Sequence, residues 1–286
     1  IRDSPKWLIE GWLRRWSPEE VRQIVDSNNT PAPNSFRPLG VGTTEALTHL
    51  KGAGWGGREV GPGIPCIYLD HGTDPAQILK AVPGIMQDPA AALVTLYADF
   101  PSGVGVGDLC AAPGGKALAV AQGGSYVLAA DRSRSRMRLL QENLGRLGGA
   151  MDLVVARAEE PPFRELPNLL LDVPCSGTGT LRRNPDARWR LTGETVEELG
   201  RLQRRMLEEG SRLVPAGGLL VYSTCSLEVE ENQDRVEDFL SEHPEYSVVE
   251  TGMVSGDYLD SEGRLCVTPL KGGFDGAFAA RMVRRP

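Results

Sequence analysis

The chain is 286 residues long with a formal net charge of −7, 41% hydrophobic and 24% charged residues, enough to bury a substantial core in one large domain or a domain with a smaller attachment. Those proportions exclude a disordered or fibrous chain, and no apolar run approaches the roughly 20 residues needed to span a bilayer. The acidic sum counts against a uniformly basic nucleic-acid binder, so phosphate contacts would have to come from local clusters of charge.

In chain order, the opening Ile1-Arg2-Asp3-Ser4-Pro5-Lys6-Trp7 carries neither an initiator Met nor a signal-peptide core, and the expected address is cytoplasmic. A helix is expected over residues 5–16. A second follows Ser17-Pro18, where a serine cap precedes proline at the first helical position. Thr43, Thr44 and Glu45 open a short helix over 46–50, and extended pieces fall at 35–38 and 66–69. Residues 1–84 thus read as a small α+β attachment.

From about Gly84 strands and helices alternate. Strands are expected at 103–109, 126–130, 152–156, 169–173, 218–223 and 277–283, several of them short apolar runs suited to a buried parallel sheet. Helices are expected at 117–121, 134–147, 194–213 and 228–241. The third is amphipathic through Val196, Leu199, Met206 and Leu213, with Thr195 and Glu198 as its capping box. Residues 85–286 therefore read as a doubly wound α/β sheet, in which ligands bind beyond the carboxyl ends of the strands.

Polar or reactive residues gather at those ends. The turn Asp108-Leu109-Cys110-Ala111-Ala112-Pro113-Gly114-Gly115-Lys116 offers small residues and free helix N–H groups to a close ligand. It matches neither a dinucleotide fingerprint nor a P-loop. Asp131 closes the next strand 23 residues after Asp108, where an acidic side chain reaches ribose hydroxyls. A glycine turn alone would serve packing equally well; with Asp131 it points to a nucleoside cofactor.

Two further turns carry thiols. In Asp172-Val173-Pro174-Cys175-Ser176-Gly177-Thr178-Gly179, proline fixes the chain past a strand end and the glycines leave room for a flat ligand. Ser223-Thr224-Cys225-Ser226 leads into a helix expected to hold Glu228, Glu230 and Glu231 in its first turn. A thiol near a helix N-terminus has a stabilised thiolate, the form a nucleophile needs. Either cysteine alone reads as well as a buried structural thiol; two at neighbouring strand ends point to chemistry. The five cysteines, completed by Cys66 and Cys266, include no C-x-x-C pair and are accompanied by three histidines. That counts against a zinc site, and the odd count argues against a disulfide framework.

Taken in order, DLCAAPGGK at 108–116, DVPCSGTG at 172–179 and STCS at 223–226 resemble the Sun/RsmB family of S-adenosylmethionine-dependent RNA cytosine-5 methyltransferases. The similarity runs from Gln87-Asp88 to Asp275-Gly276-Ala277-Phe278-Ala279-Ala280, and weakly upstream through Pro5-Lys6-Trp7-Leu8 and Phe36-Arg37-Pro38. The resemblance implies a Rossmann-like class I methyltransferase sheet over residues 85–286, with residues 1–84 as an RNA-binding or connecting domain. It implies S-adenosyl-L-methionine as cofactor, held by Cys110, Ala111, Ala112, Pro113, Gly114, Gly115, Lys116, Asp131 and Asp172. Carbon 5 of cytosine is not nucleophilic until something adds at carbon 6. Cys225 matches the residue that adds there, Cys175 the one that aids product release, and Asp172 one that contacts the cofactor or the base near N3. Lys116 reaches toward the base pocket.

The resemblance further implies ribosomal RNA as partner, small-subunit 16S rRNA first and transfer RNA as the alternative, with a monomeric enzyme that needs no metal and no membrane. The bacterial family member also carries an N-terminal helical RNA-binding domain that this sequence does not include. The target is expected to be a single-stranded or flipped cytosine. Of two Arg-rich stretches, Arg132, Arg134, Arg136, Arg138 and Arg182, Arg183, Arg188, Arg190, the second is the candidate for phosphate contact.

One position departs from the family. Its acidic residue past the third strand, which serves the cofactor's adenine amino group, aligns with Ala158 in Val155-Ala156-Arg157-Ala158-Glu159-Glu160-Pro161. Either Glu159 substitutes after a one-residue shift, or shape and backbone hold the adenine. Three rivals follow: a DNA cytosine-5 methyltransferase using Cys175, a non-catalytic ribosome-assembly factor, and a redox pair of Cys175 with Cys225.

Overall fold

The computed structural model describes residues 4–286; Ile1, Arg2 and Asp3, part of the segment read for a targeting signal, lie outside the described residues. The first helices are α1 (Lys6–Leu13) and α2 (Pro18–Asn28), the first ending three residues earlier than expected. At α2 Ser17 caps the helix as the sequence implied, and Glu20, not singled out there, completes a capping box. The Ser17 hydroxyl accepts from Glu20 N–H, while the Glu20 carboxylate accepts from Ser17 N–H at 2.8 Å.

Next come β1 (Ser35–Pro38), α3 (Thr43–Gly52), β2 (Gly57–Gly61), β3 (Ile64–Leu69), α4 (Pro75–Ala81) and β4 (Gly84–Met86). The strands form an antiparallel sheet in the order β2-β3-β1-β4. Phe36, Leu50, Ile67 and Ile78 form its core. Its other face is not independent: Ile64 and Cys66 share a core with Leu93, Tyr97 and Leu170 of the next unit.

That unit contains α5 (Pro89–Ala98), β5 (Val106–Asp108), α6 (Gly115–Gln122), β6 (Val127–Asp131), α7 (Arg134–Leu147), β7 (Met151–Val155) and β8 (Asn168–Asp172). After it follow α8 (Ala187–Arg190), α9 (Gly193–Leu213), β9 (Leu219–Thr224), α10 (Gln233–Glu242), β10 (Tyr246–Val248), β11 (Leu265–Val267) and β12 (Ala277–Arg284). The large sheet runs β10-β12-β9-β8-β5-β6-β7, with β11 on β12. The neighbours from β9 to β7 are parallel, and β12 inserts antiparallel beside β9.

The central strands are apolar along their middles because both faces are covered, with polar residues confined to their ends. On β8, Leu169 and Leu171 pack with Met206 and Leu207 of α9 and Phe239 of α10, whereas Leu170 faces Leu93 and Tyr97 of α5. Each fully buried side chain of this kind contributes about 1.5–3 kcal/mol. One cap differs from expectation. Helix α9 is capped by Thr192, not by a Thr195/Glu198 box: Thr192 is extended (φ −130°, ψ 164°) and its hydroxyl accepts from Thr195 N–H at 3.1 Å, so Thr195 already lies inside the first turn.

The chain moves outward from β5 to β7 and returns to β8 on the other side of β5. This reversal opens a crevice at the carboxyl ends, with Asp108 and Asp172 on neighbouring strands. Helices α1 and α2 pack beside it, Leu8, Trp12, Val21 and Ile24 forming a core with Leu181 and Leu227. Among the described residues no helix is long and apolar enough to cross a membrane.

Candidate active site

The turn after β5 is held by the two acidic residues that flank it. Asp108 is buried and its carboxylate accepts from Cys110 N–H at 3.1 Å. Burial first, then the charge of Asp172, pushes its pKa up to about 7. Asp131 accepts from Ala112 N–H at 3.3 Å and from Ser133 N–H at 2.8 Å. Arg136 donates to the Ala112 carbonyl and lies 3.6 Å from Asp131. Gly114 sits at φ 110°, and a β-carbon there would come within 2.3 Å of Leu140 Cδ1, so only glycine fits. Ala111 and Ala112 turn into a core with Leu118 and Leu140, while Pro113 is exposed.

Lys116, in the first turn of α6, donates to Asp172 at 2.7 Å, and Asp172 also accepts from the Ser223 hydroxyl at 2.8 Å. Burial pulls the Lys116 pKa down, but Asp172, by charge and hydrogen bond, and the nearby Cys225 outweigh it, so the ammonium is held charged.

The two thiols meet. Cys175 Sγ and Cys225 Sγ are 3.3 Å apart, and Cys225 N–H points to Cys175 Sγ at the same distance. Both are free thiols, the separation being well beyond the roughly 2.05 Å of a disulfide. The Cys175 hydrogen bond pulls the Cys225 thiol below its ordinary value against the cost of burial, with Lys116 acting in the same direction. Donating that bond, together with burial, puts Cys175 well above. The contact thus splits the two thiols, easing ionisation of Cys225 and opposing that of Cys175.

The cause differs from the helix N-terminus expected from sequence. Residues 228–241 are not one helix. A short 3-10 turn, Val229–Glu231, ends at Asn232 (φ −113°, ψ −99°), and α10 begins after it. The break follows from polar side chains turned inward: Glu231 accepts from Ser176 N–H at 2.8 Å, and Asn232 donates to the Ser226 carbonyl at 2.9 Å. Gly179 lets the loops approach closely, its N–H donating to the Cys225 carbonyl at 3.0 Å; a β-carbon would come within 2.7 Å of that oxygen.

A cavity of about 200 Å³ joins these parts, and Cys110, Asp131, Glu159, Asp172, Cys175 and Cys225 all line it. Ala158 is buried in its wall. Glu159 faces the cavity with a buried Oε2 that has no hydrogen-bond partner among the described residues, its other oxygen lying 3.8 Å from Arg157.

The arginine stretch after the Cys175 loop is largely committed elsewhere. Arg182 donates to the Gly273 and Pro31 carbonyls at 2.8 and 3.2 Å. Arg183 pairs with Asp88 and Asp275 at 2.8 and 2.7 Å. Arg188 is buried against Asn28 and Asn29. The segment runs between the loop after α2 and the start of β12, whose carbonyls and carboxylates claim these side chains. Arg190 remains exposed beside Trp189, which is 62% exposed and was not singled out from sequence.

Residues 103–283 match the family model for 16S rRNA methyltransferase RsmB/F. The chain belongs to that family. Among RsmB/F relatives, ribosomal RNA small subunit methyltransferase B of Yersinia enterocolitica is 32% identical over 98% of this chain, which spans 66% of that relative's length. The crystal structure of PH0851 is 29% identical with a TM-score of 0.88, covering 98% of this chain and 66% of that one. The crystal structure of NSun6 from Pyrococcus horikoshii with SFG has a TM-score of 0.83, covering 99% of this chain and 98% of that one, and its 19% identity speaks for the fold alone. The RsmB/F sheet described above is accordingly Rossmann-like.

Proposed function

We propose that this chain transfers a methyl group from S-adenosyl-L-methionine to carbon 5 of a cytosine in RNA, small-subunit ribosomal RNA first, through a covalent bond between Cys225 and carbon 6. The observation that carries this reading is the thiol pair, 3.3 Å apart, in a cavity shared with Asp131 and Glu159. Residues 85–286 would form the catalytic unit, and residues 1–84 the connecting, RNA-facing part.

The residues present fit the cofactor. Asp131 stands at the strand end where a carboxylate meets ribose hydroxyls, and Gly114 allows the turn to lie close. The unpartnered Glu159 oxygen lacks a donor of the kind an adenine amino group supplies, making Glu159 the replacement for the acid missing at Ala158. Cys110, Ala111, Ala112, Pro113, Gly115 and Lys116 complete the cradle with Asp172. When bound, S-adenosyl-L-methionine supplies an electrophilic methyl group.

The protein's own residues would act as follows. The Cys225 thiolate attacks carbon 6, and the electron pair moves to carbon 5, which takes the methyl. Loss of the carbon-5 proton to water then breaks the sulfur–carbon bond and restores the ring. Cys175, with its S–H beside the departing sulfur, stabilises the leaving thiolate. Lys116, fixed by Asp172, keeps positive charge near both steps. Arg190 and Trp189, a cation beside an exposed ring, suit phosphate contact and base stacking. Incubation with labelled cofactor and small-subunit RNA, followed by mass spectrometry of the nucleosides, should yield 5-methylcytidine; label in another nucleoside would refute the assignment.

A further inference from the structure

One buried acid has no place in this chemistry. Glu231 is fully buried, and among the described residues it forms no ion pair. Neutral donors satisfy its carboxylate: Ser176 N–H at 2.8 Å, Gln203 Nε2 at 2.9 Å, and the Ser176 hydroxyl. A buried carboxylate without a cation is costly, and an apolar residue of similar volume would generally serve stability better. Retaining it calls for a function other than packing.

Its partners show which. Gln203 also donates to the Pro174 carbonyl at 2.9 Å, so the residues on both sides of Cys175 are tied to the Glu231–Gln203 pair. The Ser176 hydroxyl lies 3.0 Å from that of Ser226, just past Cys225. The next residue completes the frame: Asn232 accepts from the Thr224 hydroxyl at 2.5 Å and donates to the Ser226 carbonyl at 2.9 Å, on either side of Cys225. Tyr222 of β9 fixes the Glu231 backbone by donating to its carbonyl at 2.6 Å.

We propose that Glu231 is a positioning residue: through Ser176 and Gln203 its carboxylate holds the Cys175 loop so that the Cys175 thiol donates to Cys225. The proposal rests on the reading of Cys225 as nucleophile, but the geometry exists without it. The titratable groups facing the thiol pair are Lys116 from α6, Asp172 from β8, Tyr222 from β9 and Glu231 itself. By charge alone Glu231 pushes both thiols up, so it can favour a Cys225 thiolate only through position. That sign separates the two roles.

The test is the pH profile of Cys225 alkylation by iodoacetamide in the full chain, read by peptide mass spectrometry without RNA or cofactor. Glu231→Ala frees the Cys175 loop, so the profile should move to higher pH and alkylation at pH 7 should slow by about tenfold. Glu231→Gln keeps the hydrogen-bonding shape and removes the charge, so its profile should stay at the wild-type position or fall. In methyl transfer, Glu231→Ala should lower kcat on the order of 100-fold with KM for RNA nearly unchanged, and Glu231→Gln should restore most of it.

A folded Glu231→Ala protein with the wild-type profile overturns the proposal, as does a Glu231→Gln profile raised as far as the alanine variant's. If Glu231→Ala does not fold, Ser176→Ala drops one of the two Ser176 bonds with the carboxylate in place. It should shift the profile upward by less, and no shift overturns the proposal. Wild-type protein that methylates nothing would sink the functional reading while leaving the alkylation result to decide the role of Glu231.

Discussion

Cys175 Sγ lies 3.3 Å from Cys225 Sγ although 50 residues separate them in the chain. The contact exists because β8 and β9 are parallel neighbours and each ends in a thiol-bearing turn. The Cys175 hydrogen bond is the largest cause of the lowered Cys225 pKa, so Cys175→Ala should remove it and leave burial to raise that pKa. Alkylation of Cys225 should then require higher pH, slowing about tenfold at pH 7. An unchanged profile would assign the thiolate to Lys116 instead.

Glu159 should carry part of the cofactor affinity. Its buried oxygen is unpartnered in the cavity wall, and a hydrogen bond to a charged group contributes about 1.5–3 kcal/mol. Glu159→Ala should weaken S-adenosyl-L-methionine binding at least about tenfold by calorimetry. Equal affinity would mean that shape and backbone alone hold the adenine.

Asp108 makes stability depend on pH. Its folded pKa, pushed up to about 7 by burial and then by Asp172, lies above the ordinary carboxylate value of about 4. The folded state therefore holds the proton more tightly than the unfolded chain. The stability this proton contributes is fully present below about pH 4 and is lost as pH rises through about 7. Asp108→Asn keeps an acceptor for Cys110 N–H and removes the titration. Its Tm relative to wild type should rise between pH 5 and pH 8, and a constant difference would show that Asp108 ionises normally.

Two neighbouring arginines should behave differently. Arg183 bridges the buried carboxylates of Asp88 and Asp275, so Arg183→Glu should cost about 2 kcal/mol of stability, a figure discounted for the partial exposure of Arg183. Arg190→Glu should leave the melt unchanged, weaken RNA binding and reduce the salt slope by about one. Trp189→Ala should lose about 1–3 kcal/mol of RNA binding with the slope unaltered. If Arg183→Glu melts normally and loses RNA instead, the arginine roles are reversed.

Strand alternation, the three motif turns and the Ser17 cap were legible in the sequence because each depends on neighbours within a few residues. The strand pattern placed Cys175 and Cys225 at neighbouring strand ends, and the resemblance supplied their separate roles. Glu231 was misread as a first-turn helix residue, since nothing local shows that its partner is Ser176, 55 residues away. The same limit applied to Arg182, Arg183 and Arg188, whose carbonyl and carboxylate partners come from both ends of the chain. The Thr195 box was displaced by Thr192, a stronger cap because its hydroxyl sits just before the helix.

The central claim is that Cys225 bonds to the cytosine and Cys175 lets it go. Cys175→Ala protein, incubated with small-subunit RNA and S-adenosyl-L-methionine, should accumulate a complex that survives denaturing electrophoresis, with the RNA attached at Cys225 by peptide mass spectrometry. Adding Cys225→Ala should abolish both the complex and methylation. Methylation that persists without Cys225 and disappears without Cys175 would contradict the account and make Cys175 the nucleophile.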